Sequence, residues 1–98
     1  MFDKDIKNKL IQFIYDRNWD TFHTEENLAK AISCEASELL KNYIWGDEWP
    51  YKIKEENKKE EIADILIFCF YYINKKGYNI NKIVNEKIEK NIKKYKEK

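Results

Sequence analysis

Gly46, Pro50 and Gly77 are the three residues of the chain whose types routinely stop a helix. Glycine frees the backbone for tight turns, and proline removes an N–H and clashes inside a helix. A chain so poor in both must spend its length in long regular elements. Its apolar residues recur at three- and four-residue intervals, which predicts amphipathic helices. The first runs from Asp3 to Arg17 with Ile6, Leu10, Phe13 and Ile14 on one face, and a non-helical segment, Asn18 to His23, follows. Thr24 is placed to cap the second helix, Glu25 and Glu26 favour its positive end, and Gly46 stops it after Trp45. The third helix is expected from Ile53 to Lys76, with Ile62, Ile65, Leu66, Cys69, Tyr72 and Ile73 facing the core and Gly77 as its stop. Asn79 is placed to cap a fourth, which carries Ile80, Ile83, Val84, Ile88, Ile92 and Tyr95. The expectation is one all-α domain over residues 1–98, a four-helix bundle.

Charge narrows the function. Charged residues make up 38% of the chain yet nearly cancel, at +1, and a dedicated nucleic-acid binder would carry a basic excess. Aromatics at 15% are too many for a disordered chain. No apolar run reaches the ~18 residues of a membrane span. The start, Met1-Phe2-Asp3-Lys4-Asp5, lacks the basic and apolar regions of a secretory signal, so a cytoplasmic protein is expected. Cys34 and Cys69, isolated among apolar neighbours, are expected to be reduced core residues.

The chemistry is concentrated in two carboxylate pairs. Glu35 and Glu38 share a face of the second helix, and Glu61 and Asp64 share a face of the third, because residues three apart on a helix are neighbours. Glu35 also interrupts a core-facing stripe, Leu28, Ile32, Glu35, Leu39, Asn42. A carboxylate there is costly unless it is paired or metal-bound. The two helices are joined by a short connection and should pack antiparallel. At ~1.5 Å per residue, Glu38 and Glu61 both lie about 12 Å from that connection, and Glu35 and Asp64 both about 16 Å. Four hard oxygen ligands at matched depth suit Mg²⁺, with Mn²⁺ as a possible substitute, and argue against zinc. Mg²⁺ commonly binds carboxylates together with substrate phosphates, which points to a phosphate-bearing substrate. A di-iron site normally needs Glu-x-x-His ligands, and the single histidine, His23, lies outside both helices. The bland alternative is solvated helix acids paired with Lys30, Lys41 or Lys58.

The order of residues resembles a known family. Arg17-x-Trp19-x-x-Phe22-His23, Asn27-Leu28, Glu35-x-x-Glu38-Leu39, Trp45, Glu60-Glu61-x-x-Asp64-x-Leu66 and Lys87-x-x-x-Asn91-x-x-Lys94-Tyr95 are similar to the MazG-like nucleotide pyrophosphohydrolases, especially their small dCTP pyrophosphatase group. The resemblance implies an all-α fold, a Mg²⁺ requirement, hydrolysis of a nucleoside triphosphate to monophosphate and pyrophosphate, and a homodimer or homotetramer. It implies that Glu35, Glu38, Glu61 and Asp64 bind metal. It implies that Lys87, Asn91, Lys94 and Tyr95 contact the phosphates, and that Trp19, His23 and Trp45 lie near the nucleotide. Phe68, one turn beyond Asp64, is a candidate floor for the pocket, where the dCTP-type enzymes tend to carry tyrosine. The substrate expected on this basis is dCTP or a modified pyrimidine deoxynucleotide, and the task is nucleotide-pool sanitation.

The residues alone support part of this. Lys87, Asn91, Lys94 and Tyr95 form one stripe of the fourth helix, suited to gripping a polyphosphate. Glu35, held on the core stripe, is the expected general base. Trp49 and Tyr51 are further candidates to close over a nucleotide. The rival readings are a non-catalytic helical interaction module and other branches of the superfamily, dUTPase or phosphoribosyl-ATP pyrophosphohydrolase. Finally, the third helix is apolar on a second side through Ile67, Phe70 and Tyr71, and Phe2, Ile44 and Trp45 add to the surplus, so oligomerisation through helix packing is expected.

Overall fold

The computed structural model describes residues 1–44 and 48–95 and contains four helices, with no strand among the described residues. Helix α1 spans Lys4–Arg17, α2 Glu25–Ile44, α3 Tyr51–Lys76 and α4 Ile80–Lys94. The caps expected at Thr24 and Asn79 are present, and Asp3, expected as the first helical residue, is itself a cap. Asp3 accepts from the Ile6 N–H at 3.0 Å, Thr24 Oγ1 from the Asn27 N–H at 3.1 Å, and Asn79 from the Lys82 N–H at 3.0 Å. Helix α3 begins two residues earlier than expected, directly after Pro50, whose missing N–H costs nothing at a helix start. Gly77 ends it with φ 69°, a left-handed conformation that any side chain would strain. The stop expected at Gly46 lies outside the described residues. No described helix is long and apolar enough to cross a membrane.

The turn that makes a bundle possible uses no glycine. Asn18 adopts φ 53°, ψ 37°, and its N–H and that of Trp19 return to the last carbonyls of α1. Asparagine tolerates this left-handed region better than other non-glycine residues. The chain then folds through Trp19 to His23, held by Asn27 Nδ2 donating to the Phe22 carbonyl at 3.0 Å. This returns α1 across α3.

Helices α2 and α3 make the one extensive helix–helix packing among the described elements. The core is Leu28, Phe70 and Tyr71, with Phe2, Leu10, Ile14, Ile67, Phe68 and Tyr72 packed against it. Here the structure corrects the sequence reading. Phe70 and Tyr71 are buried inside the chain, whereas Ile62 and Leu66, assigned to the core, are 46% and 40% exposed. Phe2 is also spent internally, its ring 5.6 Å from that of Phe70. Cys34 is exposed rather than buried; Cys69 is partly buried, and both are free thiols.

This core is small for the chain. The surface is 8079 Å² for a mass of 12.0 kDa, where a compact monomer of that mass would expose about 6,000 Å². The radius of gyration is 16.5 Å against about 13 Å for a compact chain of this length. Exposed apolar side chains occur on every helix, and on α4 they form a stripe, Ile83, Val84, Ile88 and Ile92, that lies open to solvent.

Candidate metal and nucleotide site

Antiparallel packing of α2 on α3 brings Glu35, Glu61 and Asp64 together, with one carboxylate oxygen of each within 4.8 Å of the others. All three are half-buried. None forms an ion pair with a described lysine: Lys30 pairs with Glu26, Lys41 with Glu38 and Lys58 with Glu55. The solvated-acid alternative thus describes Glu38 alone. Its carboxylate is exposed, sits outside the cluster of three and holds Lys41 at 2.9 Å.

Crowded negative charge has a visible cost. Glu61 Oε2 is buried without a hydrogen-bond donor. The Glu61 carboxyl is pushed up to about 7, first by a proton-sharing hydrogen bond with Glu35, then by burial, then by the charges of Glu35, Asp64 and Glu38. A proton held by Glu61 is the one donor such a carboxyl pair has; once it is lost, the orphaned oxygen needs a cation. An unpartnered buried oxygen inside a three-carboxylate cluster fits a hard divalent ion.

Asp64 also lines a second feature, a cavity of about 470 Å³ walled by α1, the Asn18–His23 turn and α3. Its rings are Phe13, Trp19, His23, Phe68 and Tyr71. Arg17 lies over Phe13 at 3.7 Å, and Phe13 meets Trp19 edge-on at 5.4 Å, so the Arg17-x-Trp19 motif is a stack that fixes the indole. The His23 ring is 5.2 Å from Tyr71 and 6.4 Å from Phe68. Burial, with Lys75 nearby, lowers its basicity more than Asp20 restores it, so the imidazole is neutral near pH 7. Its Nδ1 is buried without a partner. The Tyr71 hydroxyl donates to the Leu10 carbonyl at 3.0 Å and ties α1 to this wall. A separate cavity of about 400 Å³ lies beyond His23 and Tyr71 but includes none of Glu35, Glu38, Glu61 and Asp64. The chamber that shares Asp64 with the carboxylate cluster is therefore the one placed to bind a ligand beside a metal.

The structure brings together Glu35, Glu61, Asp64, Trp19, His23 and Phe68. It does not bring Lys87, Asn91, Lys94 and Tyr95 to them. Those residues lie on α4, which packs extensively on neither α2 nor α3, and none lines the chamber. Trp45 lies outside the described residues. Trp49 and Tyr51 are exposed and do not line the chamber. Sequence reasoning missed Tyr71, although Glu61, Asp64, Phe68 and Tyr71 follow a three-four-three spacing that marks one stripe. It also missed the α1 wall, including Lys9, for which no helical spacing gives a signal.

Residues 30–98 match the sequence model of the MazG-like family. Mouse dCTP pyrophosphatase 1 (Mus musculus) is 26% identical over 99 residues, an alignment covering 94% of this chain. The chain spans only 58% of the length of that relative. The crystal structure of a pyrophosphatase from Archaeoglobus fulgidus DSM 4304 matches with a TM-score of 0.81 at 32% identity, covering 94% of this chain and 90% of the other.

Proposed function

The chain belongs to the MazG-like family, and from that premise we propose that it is a divalent-cation-dependent nucleoside triphosphate pyrophosphohydrolase. The observation that carries the reading is the double membership of Asp64. It belongs to the carboxylate cluster and to the wall of the aromatic chamber. A molecule with an aromatic base in the chamber would extend its phosphates toward the acids. Base stacking on aromatic rings contributes ~1–3 kcal/mol per base.

Glu35, Glu61 and Asp64 would hold the ion, Mg²⁺ by their oxygen chemistry, with Glu38 beside them once released from Lys41. The ion supplies Lewis acidity and lowers the pKa of a bound water. Glu61 would hold the ion in its unprotonated form, and Glu35 is assigned as the base that takes the proton of the attacking water. Trp19, His23 and Phe68 hold the base against the chamber's apolar wall. Attack at the α-phosphorus then releases pyrophosphate. The name of the mouse relative favours dCTP or a modified pyrimidine deoxynucleotide, and with it a role in clearing the nucleotide pool.

The remaining parts of the site call for a second copy. Lys87, Asn91, Lys94 and Tyr95 share α4 with the open apolar stripe, so covering that stripe would carry the four toward a partner's acids. The surface excess, about 2,000 Å² over a compact monomer, is on the scale of the larger stable interfaces. A homodimer or a homotetramer built from it is the proposed assembly.

The test is a screen of canonical and modified nucleoside triphosphates with pyrophosphate release as readout, with and without Mg²⁺ or Mn²⁺. Metal-dependent release from at least one triphosphate is expected. No release from any of them would overturn the reading.

A further inference from the structure

Lys9 lies on α1, a helix to which the sequence assigned no chemistry, yet it lines the same chamber as Asp64. Apart from Asp64 it is the one side chain of that wall carrying full charge, since His23 is neutral. Lys9 is exposed and, like several other lysines, makes no ion pair among the described residues. Its backbone is nonetheless well placed. The next residue, Leu10, accepts the Tyr71 hydroxyl, so the turn of α1 that carries Lys9 is tied to the chamber's floor. A lysine stem is apolar and lies comfortably along an apolar wall, while its ammonium seeks water or an anion.

The connectivity of a nucleotide decides which anion. Base, sugar and α-phosphate are joined in that order. With the base among the rings and the cation at the carboxylates, the α-phosphate must lie where chamber and cluster meet, at Asp64. The β- and γ-phosphates lie farther from the base. We infer that Lys9 is a substrate-binding residue that donates to a non-bridging α-phosphate oxygen, a task separate from that of the α4 lysines. This rests on the pyrophosphohydrolase reading. It gives the chain a cation at the phosphorus under attack, where charge builds as the bond to pyrophosphate breaks, and it comes from the same copy as the acids.

The experiment compares wild type, Lys9→Ala, Lys9→Arg and, as control, Lys59→Ala, whose ammonium is exposed and paired with Glu56. Three readouts are taken for whichever deoxynucleoside triphosphate the wild type hydrolyses fastest. These are kcat/KM, the Kd of the corresponding monophosphate and the Kd of the phosphate-free nucleoside, the last two by tryptophan fluorescence. Losing a hydrogen bond to a charged group predicts that Lys9→Ala lowers kcat/KM about 10- to 100-fold and weakens monophosphate binding about tenfold. Nucleoside binding should be unchanged, Lys9→Arg should keep activity within about threefold, and Lys59→Ala should match wild type. Equal weakening of nucleoside and monophosphate would show a packing role and overturn the assignment. So would a Lys9→Ala enzyme within about twofold of wild type. A wild type that hydrolyses no triphosphate overturns the underlying reading, and Lys9 with it, before any variant is compared.

Discussion

Helices α2 and α4 each carry a stripe at helical spacing, and the two end in opposite situations. On α2 the stripe Leu28, Ile32, Glu35, Leu39, Asn42 faces α3, with Leu28 1% and Asn42 2% exposed. On α4 the stripe faces solvent, with Ile88 48% and Ile92 57% exposed. The first stripe contains a carboxylate and a carboxamide and is covered. The second is almost wholly aliphatic and is bare. Burial in this chain therefore follows the connections rather than the hydrophobicity. A short link folds α3 back on α2, whereas Gly77 directs α4 away from the pair. The clustered acids sit on the covered side, and Lys87, Asn91, Lys94 and Tyr95 sit on the helix whose apolar stripe is bare.

The comparison breaks most sharply at the acids. Glu61→Gln and Glu38→Gln should each leave helicity intact and lower turnover by about a thousandfold or more, the scale of several kcal/mol of lost Lewis-acid stabilisation. Pyrophosphate release by Glu61→Gln within about threefold of wild type would refute the metal-site assignment. Failure of Glu38→Gln alone would confine the site to the three clustered carboxylates.

Next in size is the bare stripe. Ile88→Asp should reduce the assembly to a species of 12.0 kDa by light scattering at micromolar concentration, with loss of activity. A wild type that is itself a compact, active monomer would show that α4 needs no cover. A smaller effect is expected from Lys87→Ala, which should raise KM or lower kcat/KM about tenfold, while Lys93→Ala, on another side of α4, changes little. Equal effects would mean that α4 does not meet the substrate.

The smallest effect sharpens the α2–α3 side. Glu61 ordinarily titrates near 4.5 and is held up to about 7 in the fold. Between those values the folded state binds the extra proton, so stability of the metal-free protein should fall as pH rises through that window, with the full penalty above about 7. Glu61→Gln should flatten this slope, and saturating Mg²⁺ should remove it by taking the proton's place. A melting temperature that rises from pH 5 to 7 without metal would contradict the crowding.

That α2 and α3 would bring carboxylates together was legible in the sequence because an antiparallel helix pair obeys simple arithmetic, but the cluster holds Glu35, Glu61 and Asp64 and leaves out Glu38, which that arithmetic matches in depth to Glu61. The faces of α3 were not. That helix is apolar through Ile62, Ile65, Leu66 and also through Ile67, Phe70, Tyr71, and periodicity cannot say which side its own chain covers. The choice is made by α1, and α1 is placed by Asn18, one residue in an unusual backbone conformation. Lys9 was hidden for the same reason: its role depends on where α1 lands. Glu35, Glu61 and Asp64 needed only two helices, so they were found.

The Tyr71–Leu10 hydrogen bond joins residues 61 positions apart. Helices α2 and α3 can pair across their short link soon after they form, but α1 must wait for that distant closure, which favours late docking. The same asymmetry persists after folding. Helix α1 adheres through Phe2, Leu10, Ile14 and one hydroxyl, so it should detach in fluctuations far milder than those that part α2 from α3. Because α1 is a wall of the chamber, each such breath would open the chamber to solvent. Hydrogen exchange should then be faster along α1 than along the α2–α3 pair.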